Sequence, residues 1–260
     1  MKIFKNKPRP CIVWTGFLVV MAWGLVICGR PTNADEQFFS IEQQERIHEL
    51  IRQYIQDYPE VILDSLRMME ARKGQERAEL AKKQVILMRR ELEKDPSSPV
   101  GGNPDGDVTI VEFFDYRCGY CKRIGPTIIK TLETDTNVRF VFKELPILGE
   151  ESVVAARAAL ASWKLHPENY QKFHFALMNH RGKMSEKTVM AIASEVGLGI
   201  SELRLAMQAP DISQAIEKNR QLAEALNING TPAFVIGAEI VPGAIDFATM
   251  NQLISKARKN

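Results

Sequence analysis

The sequence predicts an α/β fold: a sheet covered by helices, a helical block inserted part-way along it, and a separate helical segment in front. Three observations carry this prediction. Apolar runs at Val108–Phe114 and Val138–Phe142 bracket a helical stretch, the pattern of a β-α-β unit. A helix-rich stretch from about 150 to 209 then interrupts the strands, which return only at Ala233. Before residue 95 the apolar periodicity is helical.

Residues 1–34 read as an export signal. Lys2, Lys5, Lys7 and Arg9 form a basic start, Ile12–Cys28 is almost wholly apolar, and Thr32-Asn33-Ala34 offers a cleavage region before Asp35. The apolar run is long for a signal, so an uncleaved anchor is the alternative. Ile27, a bulky residue before Cys28, argues against lipid attachment there. The whole chain has 34 basic and 32 acidic residues; five of the basic ones lie in the leader, so 29 remain against 32 and the formal charge turns from +2 to −3. No basic stripe with interleaved aromatics is left, and nucleic acid is not an expected partner.

Residues 35–94 read as an N-terminal helical oligomerisation segment. Ile47, Leu50, Ile51, Tyr54 and Ile55 make one amphipathic stripe. Tyr58-Pro59 breaks it, because a residue before proline avoids the α region, and Pro59 suits the first turn of a second helix. That helix carries Ile62, Leu63, Leu66 and Met69. Ala71, Gly74, Ala78, Ala81, Val85, Met88 and Leu92 then follow heptad spacing, a weak coiled-coil seam since four of the seven are alanine or glycine. Short amphipathic helices need other surfaces to cover their apolar faces, and self-association is the expectation favoured over docking within the chain. Residues 95–107 (DPSSPVGGNPDGD) show no apolar periodicity and read as a linker.

Residues 108–260 read as the catalytic domain. Val108–Phe114 is a buried strand; a helix starts at Cys118-Gly119-Tyr120-Cys121, with a kink expected at Gly125-Pro126; Val138–Phe142 is the next strand. Helices follow at Glu151–Leu165 and Pro167–Asn179, a third is capped by Ser185, and a fourth spans Asp211–Leu226. Ala233–Ile236 and Glu239–Val241 form a hairpin around Gly237-Ala238, and Phe247–Lys256 closes the chain. This order is that of a thioredoxin-like sandwich with an inserted helical subdomain.

Cysteine usage points to the chemistry. Cys11 and Cys28 leave with the leader, so Cys118 and Cys121 are the pair that remains, too few for a structural framework. A lone Cys-x-x-Cys near a β-α-β pattern reads as redox-active, whereas a clip across so short a loop constrains the unfolded chain little. Cys118, at a helix start, sits beside free N–H groups and the positive end of the dipole, which favour thiolate. Cys121, a turn deeper, is the resolving thiol. Gly119 and Tyr120 stand between the sulfurs and tune the pair. A metal centre is not expected, since no second Cys-x-x-Cys accompanies the pair and His48, His166, His174 and His180 lack ligand spacing; no cofactor is expected either.

Glu112 lies within an apolar strand, where an ionised carboxylate is costly unless paired. Lys143 is the expected partner, and two roles stand open: a buried ion pair, or a proton relay for Cys121. Thr231-Pro232, inside Gly-Thr-Pro-Ala-Phe, is an ordinary turn by itself, but after a helix, before a hairpin and with a Cys-x-x-Cys upstream it reads as the other half of the site, where a cis proline would leave the Thr231 backbone to pair with an extended substrate segment. Met178, Met184, Met190 and Met207 read as core or as an adaptable peptide surface. Arg117 and Lys122 add positive potential beside the thiols or are simply solvated.

Val111–Lys122 (VEFFDYRCGYCK), Lys143–Gly149 (KELPILG), Gly230–Phe234 (GTPAF) and the glycines and aspartate of Gly102-Asn103-Pro104 and Gly106-Asp107 resemble the DsbA family of periplasmic thiol–disulfide oxidoreductases, in particular its suppressor-of-copper-sensitivity (ScsC) branch. The likeness is most specific around Cys118 and Thr231. It implies a redox pair at Cys118 and Cys121, a cis proline at Pro232 after Thr231, and a buried acid at Glu112. It also implies a periplasmic location, client proteins with absent or wrong disulfides, a membrane redox-recycling partner, and trimer formation through a helical segment like Phe39–Met69. Gly-Tyr stands where DsbA itself has Pro-His; it is also the dipeptide of the dimeric isomerase DsbC, which tilts the expectation toward an oligomeric isomerase or reductase. A DsbA-like oxidase and a Cu(I)-holding copper-tolerance protein are the alternatives.

Overall fold

The run Val108–Phe114 becomes the central strand of the sheet, buried on both faces. The structure is a computed structural model that describes residues 38–259; the leader and its cleavage region lie outside the described residues. The chain divides into two units, residues 1–62 and 63–260.

In the first unit, helix α1 (Ile41–Asp57) opens with a capping box in which Ser40 Oγ accepts from Gln43 N at 3.2 Å and Gln43 Oε1 accepts from Ser40 N at 2.8 Å. Its stripe of Ile47, Leu50, Ile51, Tyr54 and Ile55 is exposed, and none of its residues is buried. The break falls at Tyr58-Pro59, and α2 (Glu60–Leu87) begins immediately after the proline.

The second unit departs from two expectations. The end of α2 and the short α3 (Arg89–Glu93) belong to the catalytic domain's own core: Val85 and Leu92 are buried against Val111, Phe113, Val141, Leu222 and Leu226, with Met88 packed alongside. The large apolar members of the weak seam therefore cover the chain's own sheet. Nor are residues 95–107 a linker. They contain β1 (Val100–Gly102), paired antiparallel with β3 (Val138–Glu144) in the register Val100↔Val141. Phe142 N donates to Pro99 O at 2.9 Å just ahead of that strand.

The five-stranded sheet has the order β1-β3-β2-β4-β5, where β2 is Val108–Phe114, β4 Ala233–Ile236 and β5 Glu239–Pro242. β2 and β3 are parallel, joined through α4 (Gly119–Thr134), while β4 runs antiparallel to β2 and β5 to β4. Alternation along the strands sorts the core into two layers. Ile110, Phe114, Phe140 and Phe142 face one layer, which also holds Cys121 and Ile124 of α4, Phe173 of α6 (Pro167–Asn179) and Ile254 of α10 (Phe247–Ala257). Val111, Phe113, Val141 and Val235 face the other, closed by α9 (Pro210–Ala225) and by Val85 and Leu92. α4 continues through Pro126, the site of the expected kink.

The inserted helices are α5 (Glu150–Leu165), α6, α7 (Glu186–Glu195) and α8 (Ile200–Met207). Ser185 caps α7, its hydroxyl accepting from Thr188 N at 3.3 Å. Met178, Met184, Met190 and Met207 are all buried, so these methionines are core and not a peptide surface.

Candidate active site

Cys118 is the N-cap of α4, extended in backbone (φ −69°, ψ 118°), so its side chain lies over the free N–H groups of the first turn. Its Sγ accepts from Cys121 N at 3.4 Å and lies 3.2 Å from Thr231 O on the far side. Both cysteines are free thiols. The Cys118 thiol is brought down to about 5, chiefly by the hydrogen bond from the Cys121 thiol, then by the Thr231 side chain and the N–H groups of Cys121 and Tyr120, against an opposing effect of burial. Cys121 moves the opposite way, far above the ordinary thiol range, because it is buried, donates to Cys118 and feels the Glu112 charge. Exposure agrees with this split: 7% for Cys118 and 1% for Cys121.

Glu112 is fully buried, and neither carboxyl oxygen has a hydrogen-bond partner among the described residues. Burial, followed by the charge of Cys118, pushes its carboxyl up to about 8. The expected pairing with Lys143 does not form. In the β2–β3 register Glu112 stands opposite Phe142, and Lys143 opposite Phe113, so the two side chains leave opposite faces of the sheet. Lys143 Nζ instead donates to Glu91 O at 2.7 Å and Ser98 Oγ at 2.8 Å, and lies 3.7 Å from Asp95. The ion-pair reading of Glu112 is thereby corrected.

Thr231-Pro232 is a cis peptide directly before β4, and Pro232 O accepts from Gly243 N at 2.8 Å. Tyr120 is exposed, its ring facing the Arg123 guanidinium at 4.9 Å. A cavity of about 600 Å³ opens beside them, lined by Tyr120, Arg123, Ile124, Thr127, Thr231 and Asp246. Gly119 has open space where a side chain would stand. The structure thus gathers Cys118, Cys121, Gly119, Tyr120, Thr231 and Pro232 around one surface, with Glu112 beneath the thiols. Arg117 and Lys122 are tied down, Arg117 to Leu148 O and Glu151, Lys122 to His180 O.

Asp115 was not singled out from the sequence. Its carboxylate accepts from Arg117 N at 2.7 Å, Ile147 N at 2.8 Å, Leu148 N at 3.0 Å and Ser152 Oγ at 2.8 Å, while its carbonyl accepts from Cys118 N at 3.0 Å. It fixes the redox loop to the loop before α5. Aspartate three residues before a helix-start cysteine is a turn signal, but its partners come from a distant segment.

Residues 109–255 match the DSBA-like thioredoxin domain. The chain belongs to the DsbA family. It is a thiol–disulfide oxidoreductase of that family, with the fold expected of one. Disulfide bond formation protein D of Bacillus subtilis is 26% identical over 171 residues, 62% of this chain and 77% of the relative. The catalytic domain of ScsC from Proteus mirabilis is 30% identical, covering 69% of this chain and 99% of that domain at a TM-score of 0.65. A thioredoxin-like oxidoreductase from Silicibacter pomeroyi is 45% identical over 66% of this chain and 98% of its own, TM-score 0.64. A periplasmic thioredoxin-like protein from Salmonella enterica serovar Typhimurium is 31% identical, covering 67% and 97%, TM-score 0.61.

Proposed function

We propose that this DsbA-family protein works in the periplasm as an oligomeric disulfide isomerase or reductase, with Cys118 as nucleophile and Cys121 as resolving thiol. The observation that carries the exchange chemistry is the asymmetry of the pair: an acidic Cys118 at the helix start over a more deeply buried Cys121 whose thiol is held far above the ordinary range; the exposed stripe of α1 tilts the reading toward an oligomeric isomerase. The Cys118 thiolate attacks one sulfur of a client disulfide, forming a mixed disulfide and releasing the other client sulfur as thiolate. Once Cys118 is in the mixed disulfide its charge no longer opposes ionisation of Glu112, and Glu112 in its carboxylate form takes the Cys121 proton. The Cys121 thiolate attacks Cys118 Sγ, closing the 118–121 bond and releasing the second client sulfur. If, before that, a different client thiolate attacks the client sulfur of the mixed disulfide, a new client disulfide forms, Cys118 leaves as thiolate, and the net result is isomerisation.

Thr231 and Pro232 hold the client as an added extended segment, with Tyr120 and Gly119 beside it. Several features support the wider reading. The apolar stripe of α1 is exposed in the single chain, as a self-associating helix requires. One of the similar solved proteins is itself described as periplasmic. Clients are exported proteins with wrong or missing disulfides, and a membrane redox protein restores the dithiol.

One observation favours the oxidase as a second reading: a thiolate stabilised near pH 5 stabilises the reduced form and makes the disulfide form more oxidising. Recovery of activity from scrambled ribonuclease by the reduced protein, lost in Cys118→Ser, is the expected result. Rapid oxidation of a reduced peptide without any unscrambling overturns isomerisation in favour of the oxidase.

A further inference from the structure

The cavity of about 600 Å³ beside Thr231 has two walls. Tyr120, Arg123, Ile124 and Thr127 form the first; they recur at i, i+3, i+4 and i+7, so one face of α4 turns toward the cavity. The segment between β5 and α10, from Gly243 to Asp246, forms the second. Gly243 N donates to Pro232 O at 2.8 Å, which ties that segment to the cis-proline loop. Ile124 belongs to the buried core and Ile245 packs against it, so the lining between the charged residues is apolar.

Two charged side chains line this cavity, and they differ in how they are engaged. Asp246 is the N-cap of α10: its Oδ1 accepts from Thr249 N at 2.8 Å, and Thr249, followed by the Ala248 N–H, holds its carboxyl below the ordinary range. Its charge is thus offset by the positive end of α10. Arg123 is exposed, and among the described residues its guanidinium has neither a hydrogen bond nor an ion pair; it stands at the Tyr120 ring, 4.9 Å from the centroid. The other cations beside the thiols are taken, Arg117 by Glu151 and Leu148 O, Lys122 by His180 O. A guanidinium held at an aromatic face still has N–H donors to offer, and its planar fork matches a carboxylate with two parallel hydrogen bonds.

Thr231 joins this cavity to the chemistry: its carbonyl lies 3.2 Å from Cys118 Sγ, and the same residue lines the cavity. An extended client laid along Thr231 rises about 3.3 Å per residue, and side chains two positions apart point the same way. A side chain about two positions from the client cysteine therefore reaches the cavity while that cysteine faces Cys118. We propose that Arg123 is a specificity-determining residue: it selects clients with an acidic side chain at that distance from the reacting cysteine, pairing with the carboxylate while Ile124 and Ile245 cover the aliphatic stem. The inference rests on the client-binding reading of Thr231-Pro232 above. A lysine at the same client position meets Arg123 as a like charge, and Asp246, already capping α10, compensates little. The thiol exchange is unchanged; Arg123 acts on which client is seated against Cys118.

The test is the second-order rate at which the disulfide form of the full chain oxidises reduced peptides carrying Glu, Gln or Lys two positions before or after the cysteine. Each rate is divided by that of the same peptide with a neutral small-molecule disulfide, which removes the peptide's own thiol acidity. On one side of the cysteine the Glu peptide should react about fourfold faster than the Gln peptide, and the Lys peptide slower than both. The advantage should fade at 1 M salt, where the screening length is about 3 Å. Arg123→Leu should bring Glu and Gln together, Arg123→Lys should keep part of the preference, and Arg123→Glu should reverse the order. Equal rates for Glu and Gln on both sides overturn the proposal, as does an advantage that survives Arg123→Leu. A fall by one common factor for all three peptides in Arg123→Leu marks a role in the fold or at Cys118, and overturns it too. A preference for Lys that disappears in Asp246→Asn overturns it in favour of Asp246. If Arg123→Leu does not fold, Arg123→Glu decides, and an unreversed order sinks the idea. An N-methyl amide beside the client cysteine that costs no rate removes the Thr231 reading instead, a result distinct from the charge preference.

Discussion

Cys118 and Cys121 are one helical turn apart and chemically opposite. The difference arises from position: Cys118 caps the helix and collects donors, while Cys121 is enclosed by the core and faces Glu112. Alkylation of Cys118 by iodoacetamide is therefore expected to rise with a midpoint near pH 5, with Cys121 unreactive to pH 9; a Cys118 midpoint near the ordinary thiol value removes the basis of the mechanism. A thiol lowered from 9 to about 5 adds stability that is present at high pH and is lost as pH falls through 5. Only the reduced protein has this contribution, about 1–2 kcal/mol at pH 7 after allowance for solvent screening. Paired melts of the reduced and oxidised forms should show the reduced form losing that amount between pH 7 and pH 4.5. Glu112 has the opposite sign. Its carboxyl, raised from 4.5 to about 8, favours the folded state fully below pH 4.5 and loses that contribution as pH rises through 8. Glu112→Gln removes the dependence, so its stability relative to wild type should improve by about 3–4 kcal/mol between pH 4.5 and 7.5 in urea titrations. No improvement means that Glu112 has a donor at neutral pH strong enough to cancel burial.

At the scale of elements, what could be read from the sequence was what local pattern decides. The apolar run of β2, the Ser185 cap, the proline start of α6 and the hairpin of β4 and β5 each carry their signal within a few residues. The cysteine pair and Thr231-Pro232 were legible as motifs for the same reason. β1 was not, because its three residues are Val-Gly-Gly among prolines, and its pairing partner lies about forty residues on. The Glu112–Lys143 pairing failed because it depends on register: a shift of one position along β3 puts a side chain on the other face. Asp115 acquires a partner from α5, which no local pattern specifies. The misread strand gives its own prediction. Gly102 has φ +68°, and a Cβ there would stand 2.5 Å from Val138 O and 2.9 Å from Leu132 Cδ2. Gly102→Ala is expected to cost more than about 1 kcal/mol, seen as a lower denaturant midpoint; a change too small to detect would mean that β1 does not hold this conformation.

At the scale of the whole molecule, the two units call for different experiments. Removing residues 35–94 as a block looks like a clean deletion of the assembly segment, but it strips Val85 and Leu92 from the core and Glu91 from Lys143. Leu92→Ala alone should cost about 2–5 kcal/mol, so that deletion reports on folding and not on assembly. The stripe of α1 can be changed without touching the second unit's core, because Leu50 and Ile51 are exposed in the single chain. Leu50→Glu with Ile51→Glu places two charges in the face expected to meet other copies, where each would be buried without a partner. Sedimentation velocity on the double variant should give a monomer where the parent gives a larger particle. Cys118 alkylation should keep its midpoint, since its determinants lie in α4 and at Thr231. Unscrambling of ribonuclease should fall while oxidation of a short peptide is retained, because only isomerisation requires the client to be held among several sites. If the parent already sediments as a monomer, the assembly reading is wrong and the oxidase becomes the better account; if the variant is monomeric and still unscrambles at the parent's rate, assembly is real but unconnected to the chemistry.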